Sequence, residues 1–340
     1  MEHQLYMQRC LDLAKLGLGK VAPNPLVGSV IVCDNKIIGE GYHQEFGKSH
    51  AEVNAINSVI DSTLLKKSTL YVNLEPCSHF GKTPPCADLI IEHKIPYVVI
   101  GTIDPFSKVK GKGIEKLLKA GVDVKVGVLE KECTELNKRF FTFHNKKRPY
   151  IILKWAQSKD GFIGKNDVPN FPISNAESKT LSHLWRTEEQ AILVGTKTAL
   201  LDKPSLSARD VNGNSPIRLI IDKQLTVNQY YSREKTIIFN TIKNQIKDNI
   251  EFIKIENATE PPTFLNEILN ELHSRSIQSV IVEGGAQTLN HFIELNTWDE
   301  ARVFESDTNI SGGVKAPNFN FSNSFQIKLS NNIVYIVKNE

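Results

Sequence analysis

The sequence has few cysteines and no long apolar run, and these two shortages exclude several classes of protein. Five cysteines, an odd number in 340 residues, do not suit the disulfide framework of a secreted protein. No apolar run approaches the roughly 18 residues that a membrane span needs. No apolar signal-peptide core follows the N-terminus. We therefore expect a cytoplasmic protein with reduced thiols and no membrane partner.

The sequence also lacks an excess of charge of one sign. Its net charge is +3, and lysines and arginines are interspersed with acidic residues. This distribution argues against a dedicated nucleic-acid surface. A chain of 340 residues, 40% of them hydrophobic, can build one or two domains, each with a sizeable core.

In the first half, predicted helices alternate with strands after an opening hairpin, which indicates an α/β sandwich around a mixed sheet. Apolar periodicity predicts helices near 5–18, 50–60, 86–94 and 113–121. Short apolar runs predict strands at 27–33, 37–43, 69–75, 97–104 and 122–128.

A basic, proline-bearing stretch at 144–150 precedes a new apolar strand, and we place a domain boundary there, giving domains 1–147 and 148–340. Residues 240–262 give a blurred pattern in which we predict no element boundaries. The second half again alternates: strands are predicted at 150–156, 191–196, 217–222, 236–240 and 279–285, and helices at 175–187, 264–275 and 286–295.

Two segments of the first half carry a metal-ligand pattern, SHAEVNAI and EPCSHFGKTPPC. His50, Cys77 and Cys86 offer one imidazole and two thiolates, a good ligand set for Zn²⁺ that leaves a fourth position for water. Glu52 lies in the first turn of the helix that His50 opens. A carboxylate that is not a ligand could take a proton from that water and pass it to a leaving amine. This is the chemistry of the zinc deaminases.

The same residues allow other interpretations. A disulfide between Cys77 and Cys86 is disfavoured by the reducing compartment, and two core thiols beside a capping histidine form a minority interpretation. A structural zinc site, with His79 as a fourth ligand, stays open. Cys10, Cys33 and Cys133 lack such neighbours and are predicted to be packing residues.

The gap of eight residues between the two cysteines differs from the usual C-x-x-C of the deaminases. With this gap, PCSHFGKTPPC, APNPLVGSVIV (22–32) and GYHQEFGKSHAE (41–52) resemble the deaminase domain of the bifunctional riboflavin-biosynthesis deaminase-reductases. The resemblance continues through GTIDP (101–105) and 109–128. It implies a cytidine-deaminase-like α/β/α sandwich.

The second half resembles the reductase domain of the same family, which implies a dihydrofolate-reductase-like α/β fold. The matching segments are LKWAQSKDGFIG (153–164), AILVGTKTALLDKPSLSAR (191–209) and IVEGGAQTLNHFIE (281–294). The resemblance implies zinc-dependent hydrolysis of the 2-amino group of 2,5-diamino-6-(5-phosphoribosylamino)pyrimidin-4(3H)-one. NADPH then reduces the ribosyl group of 5-amino-6-(5-phosphoribosylamino)uracil to ribityl. The implied cofactors are Zn²⁺ and NADPH.

The resemblance also implies binding residues in the deaminase pocket. Asn24, His43, Lys82 and Asp104 would contact the base or the phosphate. For each of them a solvated or capping role is the alternative. The family usually has Asn-Pro after Asp-Pro, whereas this chain has Phe106-Ser107 after Asp104-Pro105.

No G-x-G-x-x-G follows a strand in the second half, so the Rossmann fingerprint is absent. Gly284 and Gly285 instead lead from a strand into a helix, where the backbone can approach a diphosphate. Lys154 and Glu283 are charged residues in apolar strands. They are either exposed at strand ends or an inward-facing ion pair beside a cofactor.

The resemblance implies two residue sets in the reductase pocket. Lys154 would be catalytic, stabilising negative charge on the sugar oxygen. The family's S-x-W-I-T is replaced by residues 170–174, NFPIS. The substrate residues would be Lys154, Asn170, Arg186, Asp202, Leu206, Arg209 and Glu283. The cofactor residues would be Ala156, Pro172, Thr198, Asp202, Gly285, Ala286, Gln287, Thr288, Leu289, Asn290 and His291.

Two functions of other classes were considered. One is a nucleic-acid base deaminase with an appended binding module, and the other is a zinc-stabilised regulatory protein without catalysis. The favoured interpretation predicts small phosphoribosylaminopyrimidine substrates, no nucleic-acid partner and a homo-oligomer.

Overall fold

The computed structural model describes residues 2–78, 84–106, 109–227, 234–256 and 260–339. The chain divides into two compact units, Met1–Lys146 and Lys147–Glu340. The two functional domains, 1–147 and 148–340, stay a prediction. None of the described helices combines the length and the apolar character that a bilayer span requires.

The first unit contains helices α1–α6, strands β1–β5 and a 3₁₀ helix. Its elements are α1 Glu2–Lys15, β1 Gly28–Cys33, β2 Lys36–Tyr42, α2 Ala51–Asn57, the 3₁₀ helix Ser62–Lys67, β3 Thr69–Leu74, α3 Cys86–Glu92, β4 Tyr97–Thr102, α4 Lys112–Lys119, β5 Asp123–Val126, α5 Glu130–Leu136 and α6 Lys138–Lys146.

These strands form one mixed sheet in the order β2-β1-β3-β4-β5. Strand β1 is antiparallel to both neighbours, whereas β3, β4 and β5 are parallel. Alternate strand residues point to opposite faces. Val72 packs on one face with residues of α2, α3 and α4, and Tyr71 packs on the other with residues of α1 and α5. Helices therefore cover both faces, as the α/β/α prediction requires.

The second unit contains helices α7–α10 and strands β6–β17. Its elements are β6 Tyr150–Gln157, β7 Phe162–Gly164, α7 Ala176–Glu188, β8 Ala191–Gly195, α8 Thr196–Leu201, β9 Ile217–Ile221, β10 Thr236–Asn240, β11 Gln245–Lys247, β12 Ile250–Lys254, α9 Pro261–Ser274, β13 Ser279–Gly284, α10 Ala286–Glu294, β14 Glu300–Ser306, β15 Val314–Lys315, β16 Phe325–Leu329 and β17 Asn332–Lys338.

Ten of these strands form a sheet in the order β11-β12-β10-β9-β8-β13-β6-β14-β17-β16. Its central strands are parallel, and β17 and β16 continue it as an antiparallel hairpin. Helices α9 and α10 pack on one face, while α7 and α8 pack on the other. The central strands β13 and β6 carry Glu283 and Lys154.

Several element boundaries differ from those expected. Helix α2 ends at Asn57 rather than near residue 60. Its C-cap residue is Ser58, whose hydroxyl donates to the Ala55 carbonyl oxygen at 2.7 Å. The blurred region contains the short strands β11 and β12. Strand β14 is not predicted from the sequence because its buried face carries Glu300 and Arg302, which form an ion pair.

Candidate active sites

His50, Cys77 and Cys86 lie together at one end of the first unit's sheet. His50 precedes α2, Cys77 follows β3, and Cys86 is the first residue of α3. Their three ligand atoms lie within 4.8 Å of one another. The His50 Nδ1 atom is 3.2 Å from Cys86 Sγ and 3.6 Å from Cys77 Sγ. The donor set suits Zn²⁺, which prefers imidazole and thiolate ligands.

Two hydrogen bonds donated by backbone amides hold Cys77 and Cys86 next to each other, although they are nine positions apart. The Cys86 amide donates to Cys77 Sγ at 3.3 Å, and the Ala87 amide donates to the Cys77 carbonyl oxygen at 3.1 Å. All five cysteines of the chain are free thiols. The disulfide interpretation therefore has no geometric support.

The local electrostatics favour an ionised sulfur. The Cys86 thiol, as a hydrogen-bond donor, lowers the pKa of Cys77 most; burial opposes this, and His50 adds to the lowering, which brings the pKa to about 4. The hydrogen bond with Cys77 raises the pKa of His50 to about 8, against the effect of burial. A thiolate is the form of cysteine that binds metals.

Glu52 lies in the first turn of α2, next to this cluster, and is 3% exposed. Burial raises the pKa of its carboxyl group above the usual value. A carboxyl group with a raised pKa holds its proton to a higher pH than an ordinary carboxyl group does, which suits a proton carrier.

His43 and Asn24 lie beside the metal ligands. The His43 and His50 rings meet edge to face, with their centroids 5.6 Å apart. His43 Nδ1 is 3.0 Å from the Ser49 carbonyl oxygen, which only accepts, so Nδ1 carries the proton. In the neutral ring, whose pKa burial lowers, Nε2 then accepts from Asn24 Nδ2 at 3.0 Å. The predicted pair therefore shares one hydrogen-bonded chain.

Asp104 follows β4, and β4 is parallel to β3, so Asp104 and Cys77 leave the sheet at the same edge. Asp104 is 7% exposed, and burial raises the pKa of its carboxyl group to about 7. Its Oδ1 accepts from the Phe106 amide at 2.7 Å. Lys82, the other predicted contact, lies outside the described residues, as does His79.

In the second unit, Lys154, Glu283 and Arg186 form a buried charged group. Arg186 Nε and Nη2 donate to the two oxygens of Glu283 at 2.8 and 2.7 Å, and Lys154 Nζ is 3.6 Å from Glu283 Oε2. Burial alone would raise the pKa of Glu283, but Arg186 and Lys154 together lower it to about 2. Burial lowers the pKa of Lys154. The three side chains act as one electrostatic unit.

The other predicted substrate residues belong to two neighbouring loops. The Asn170 amide donates to Asp202 Oδ1 at 2.8 Å, and Asn170 Nδ2 donates to the Asp202 carbonyl oxygen at 3.1 Å. The Leu206 side chain is 2% exposed and packs in the core, which leaves only its backbone for a ligand. Arg209 is exposed and binds the Ser205 hydroxyl. Arg186 Nη1 donates to the Ser207 carbonyl oxygen at 2.9 Å.

The predicted cofactor residues meet where β8 and β13 enter their helices. A Cβ atom at Gly284 would lie 3.1 Å from Thr198 Cγ2, and one at Gly195 would overlap Thr288 Oγ1. Gly285 has a φ of 66°, which suits glycine. We call this close approach of two turns the glycine cradle. The first amides of α10 lie at its edge, and the start of a helix is a place where phosphates bind.

The remaining predicted cofactor residues divide by position. Ala156 lies on the same face of β6 as Lys154, two residues away. Leu289 is 1% exposed and packs in the core. Pro172 is exposed, and no described contact joins it to the cradle. The others, which follow Gly285 in the first turns of α10, are Ala286, Gln287, Asn290 and His291.

Both units match known protein families. Residues 1–102 match the cytidine and deoxycytidylate deaminase zinc-binding region, and residues 149–318 match the RibD C-terminal domain. The riboflavin biosynthesis protein RibD of Aquifex aeolicus is 41% identical over 88% of this chain and 85% of its own. That of Bacillus amyloliquefaciens is 38% identical over 95% of this chain and 89% of its own.

One solved structure is similar to this chain along nearly its whole length. The diaminohydroxyphosphoribosylaminopyrimidine deaminase/5-amino-6-(5-phosphoribosylamino)uracil reductase of Thermotoga maritima has a TM-score of 0.88 and 34% identity, covering 99% of this chain and 98% of that one. The fold and the matches define a cytidine-deaminase-like domain followed by a dihydrofolate-reductase-like reductase domain. The chain belongs to the RibD family, the bifunctional deaminase-reductases of riboflavin biosynthesis. The fold class and function inferred from the resemblance are confirmed.

Glu75 is a buried polar residue for which the sequence predicts no role in a site. It ends the apolar run TLYVNLE, which predicts only a strand. It is 4% exposed. A charged residue at the end of a buried strand was the available signal, the same signal that drew attention to Lys154 and Glu283.

Proposed function

We propose that the first domain of this bifunctional enzyme, 1–147, removes the 2-amino group of 2,5-diamino-6-(5-phosphoribosylamino)pyrimidin-4(3H)-one. The second, 148–340, then reduces the ribosyl group of the product with NADPH. The observation that carries the proposal is the cluster of His50, Cys77 and Cys86 with the buried Glu52 beside it. The family to which the chain belongs performs both kinds of reaction.

His50, Cys77 and Cys86 would hold the zinc ion. Bound there, zinc supplies Lewis-acid activation of water. Glu52 carries the proton, since burial raises the pKa of its carboxyl group. It takes a proton at a carboxylate oxygen and delivers it to the leaving amine.

The other residues of the first domain orient the pyrimidine. Asn24 and His43 form one edge of the pocket because their side chains are joined to each other and to the Ser49 carbonyl oxygen. Asp104 would offer its carboxyl group from the loop that follows β4. Lys82 stays a predicted contact to the base or the phosphate.

In the second domain the protein mainly positions groups, because NADPH supplies the hydride. Lys154 places its ammonium group where negative charge develops on the sugar oxygen. Arg186 is already bound to Glu283 and to the Ser207 carbonyl oxygen, so it orients the charged group. Arg209 is exposed, and its guanidinium suits the ribose phosphate.

The remaining substrate and cofactor assignments stay predictions. Asp202 and Asn170 would bind sugar hydroxyls or the cofactor, and Leu206 would contribute its backbone. The cradle of Gly285, Thr198 and Thr288 would take the NADPH diphosphate. The rest of the proposed cofactor set is Ala156, Pro172, Asp202, Ala286, Gln287, Leu289, Asn290 and His291.

A metal and activity measurement tests the deaminase site. Purified protein is expected to contain about one zinc per chain. Glu52→Gln should keep that zinc and abolish ammonia release, because the ligands stay and only proton transfer is lost. Glu92→Gln, an exposed glutamate at the end of α3, is the matched control and should release ammonia as the parent does. Parental ammonia release by Glu52→Gln would refute the mechanism.

We also propose that the protein acts in the cytoplasm and forms a homo-oligomer. Its substrates are small molecules rather than nucleic acids. The five free thiols support a reducing compartment. Light scattering on the purified protein tests the oligomer. An activity comparison between the free pyrimidine nucleotide and RNA tests the substrate class.

A further inference from the structure

Glu75 binds four backbone amides with one buried carboxylate. Its Oε2 accepts from the amides of Asp104 at 3.3 Å and Gly111 at 2.9 Å. Its Oε1 accepts from the amides of Gly113 at 2.9 Å and Ile114 at 3.3 Å. A carboxylate has two oxygens and acts only as an acceptor, so it can satisfy such a set of donors.

Three of these donors belong to the beginning of α4. Gly111 is the N-cap residue, with a φ of 76°, and Gly113 and Ile114 lie in the first turn. The first amides of a helix have no partner within the helix, and a negative charge is favourable there. Glu75 therefore caps α4 from a distant part of the chain.

The contact between the two segments is close. A Cβ atom at Gly113 would overlap the Pro76 carbonyl oxygen, so α4 lies directly against the chain between Glu75 and Cys77. The Glu75 amide also donates to the Thr102 carbonyl oxygen at 3.0 Å, which joins the ends of β3 and β4. The Cys77 segment, the Asp104 loop and the start of α4 thus meet at Glu75.

We propose that Glu75 is a positioning residue of the deaminase site. It fixes the loop that carries Asp104 relative to the segment that carries Cys77. This inference rests on the proposed role of Asp104 as a substrate contact. Glu75 touches neither substrate nor metal in this scheme, and it acts through the Asp104 backbone.

Glutamine is the most informative replacement for Glu75. It keeps the length and shape of the side chain, but its amide group would point two N–H donors at backbone N–H groups. The Asp104 loop then loses its fixed position while the zinc ligands remain. Glu115→Gln, an exposed glutamate on α4, is the matched control.

The experiment is a double-mutant cycle with Glu75→Gln and Asp104→Ala, read as kcat and KM for ammonia release. Each single variant is expected to raise KM about fivefold or more, and the double variant should be little worse than Asp104→Ala, because residues that act through one another are not additive. Zinc content and reductase turnover should stay parental in the Glu75→Gln protein.

Several results would overturn the inference. A parental KM in Glu75→Gln with only a lower melting temperature would make Glu75 a structural residue. Loss of zinc from Glu75→Gln would mean that Glu75 positions the Cys77 ligand rather than Asp104. Additive effects on KM in the double variant would mean that Glu75 does not act through Asp104. A parental KM in Asp104→Ala would refute the assignment of Asp104 as a substrate contact. That failure can be told apart from a failure at Glu75, because the Glu75→Gln variant is measured separately.

A second measurement covers the case in which Glu75→Gln does not fold. Amide exchange in the parent protein reports on the donors directly, since protected amides in loops require a stable acceptor. The Asp104 and Gly111 amides should exchange as slowly as those of β4, although both lie outside regular elements. Exchange at the rate of exposed loops would overturn the inference.

Discussion

Arg186 binds both carboxylate oxygens of Glu283, although the two residues are 97 positions apart in the chain. Arg186 comes from α7 and Glu283 from the end of β13, and their side chains are 11% and 8% exposed. Lys154 reaches the same carboxylate from β6. The buried Glu283 carboxylate thus binds two cations, Arg186 and Lys154. Because both depend on the same carboxylate, replacing either one also affects the other two side chains.

Replacing Lys154 tests the proposed catalytic role. Lys154→Met keeps most of the apolar length of the side chain but removes the charge beside the sugar oxygen. We expect kcat for NADPH oxidation to fall about 100-fold, in the range seen when one group that stabilises developing charge is removed. NADPH affinity, measured by fluorescence titration, should stay parental.

The control for Lys154 is Lys159→Met, an exposed lysine that follows the same strand. It should reduce the substrate as fast as the parent protein. Parental turnover by Lys154→Met would instead make Lys154 a structural residue of β6 and would misplace the reductase site.

Replacing Arg186 and replacing Arg209 should have different effects, one on stability and the other on KM. Arg186→Ala leaves Glu283 buried with only the more distant Lys154, and breaking a buried ion pair costs about 3–5 kcal/mol of unfolding free energy. Arg209 is exposed, so Arg209→Ala should raise KM for the phosphorylated substrate and leave stability unchanged. Denaturant unfolding and KM measured on both variants separate the roles. Equal stability of the two variants would contradict this assignment.

Much of the fold was predictable because its strands are apolar and its helices periodic. Most of the parallel strands of both units appear in the sequence as short apolar runs, although β12 lies in the blurred region 240–262. Strand β14 does not, because its buried face carries Glu300 and Arg302, which form an ion pair with each other. Strand β16 lies at the edge of its sheet, where Phe325 is exposed and little apolar patterning is required.

The candidate sites divide in the same way. His50, Glu52, Cys77 and Cys86 stand out because metal and proton chemistry restrict residue type and spacing. Glu75 is marked in the sequence only as a charged residue at the end of a strand. Its partners are backbone amides, which every residue except proline supplies, so the sequence does not reveal them. The contact of Arg186 with Glu283 was also hidden, because sequence order carries no direct record of which distant side chains meet.

The pH dependence of stability provides a test at Asp104. Burial raises the pKa of this carboxyl group in the folded protein from 3.8 to about 7. Between these values the folded chain holds a proton that the unfolded chain releases, so stability falls as pH rises from 3.8 to about 7 and then levels. Asp104→Asn cannot titrate and removes this loss.

The expected result is a stability gain for Asp104→Asn that grows with pH. From about pH 5 to about pH 8 the gain over the parent should increase by at least about 1.4 kcal/mol, the equivalent of one pKa unit. Denaturant unfolding at both pH values measures it, with the exposed Asp123→Asn as control. A gain independent of pH would show that the Asp104 carboxyl group ionises normally.

Each half should work without the other if the proposed domains are right. The first unit has its own five-stranded sheet and buried clusters on both faces, and its proposed zinc ligands all lie within residues 50–86. A fragment ending at Lys147 should therefore fold, bind zinc and release ammonia from the substrate. Circular dichroism, zinc analysis and the ammonia assay measure these three properties.

The complementary fragment, 148–340, is the control for this cut. It contains the ten-stranded sheet, the Lys154–Glu283–Arg186 group and the glycine cradle, and it should oxidise NADPH with the deaminated intermediate. Two active fragments would show that each domain builds its own site. A folded, zinc-loaded but inactive first fragment would show that the second domain helps to form the deaminase pocket, because the metal ligands alone would then be insufficient for catalysis.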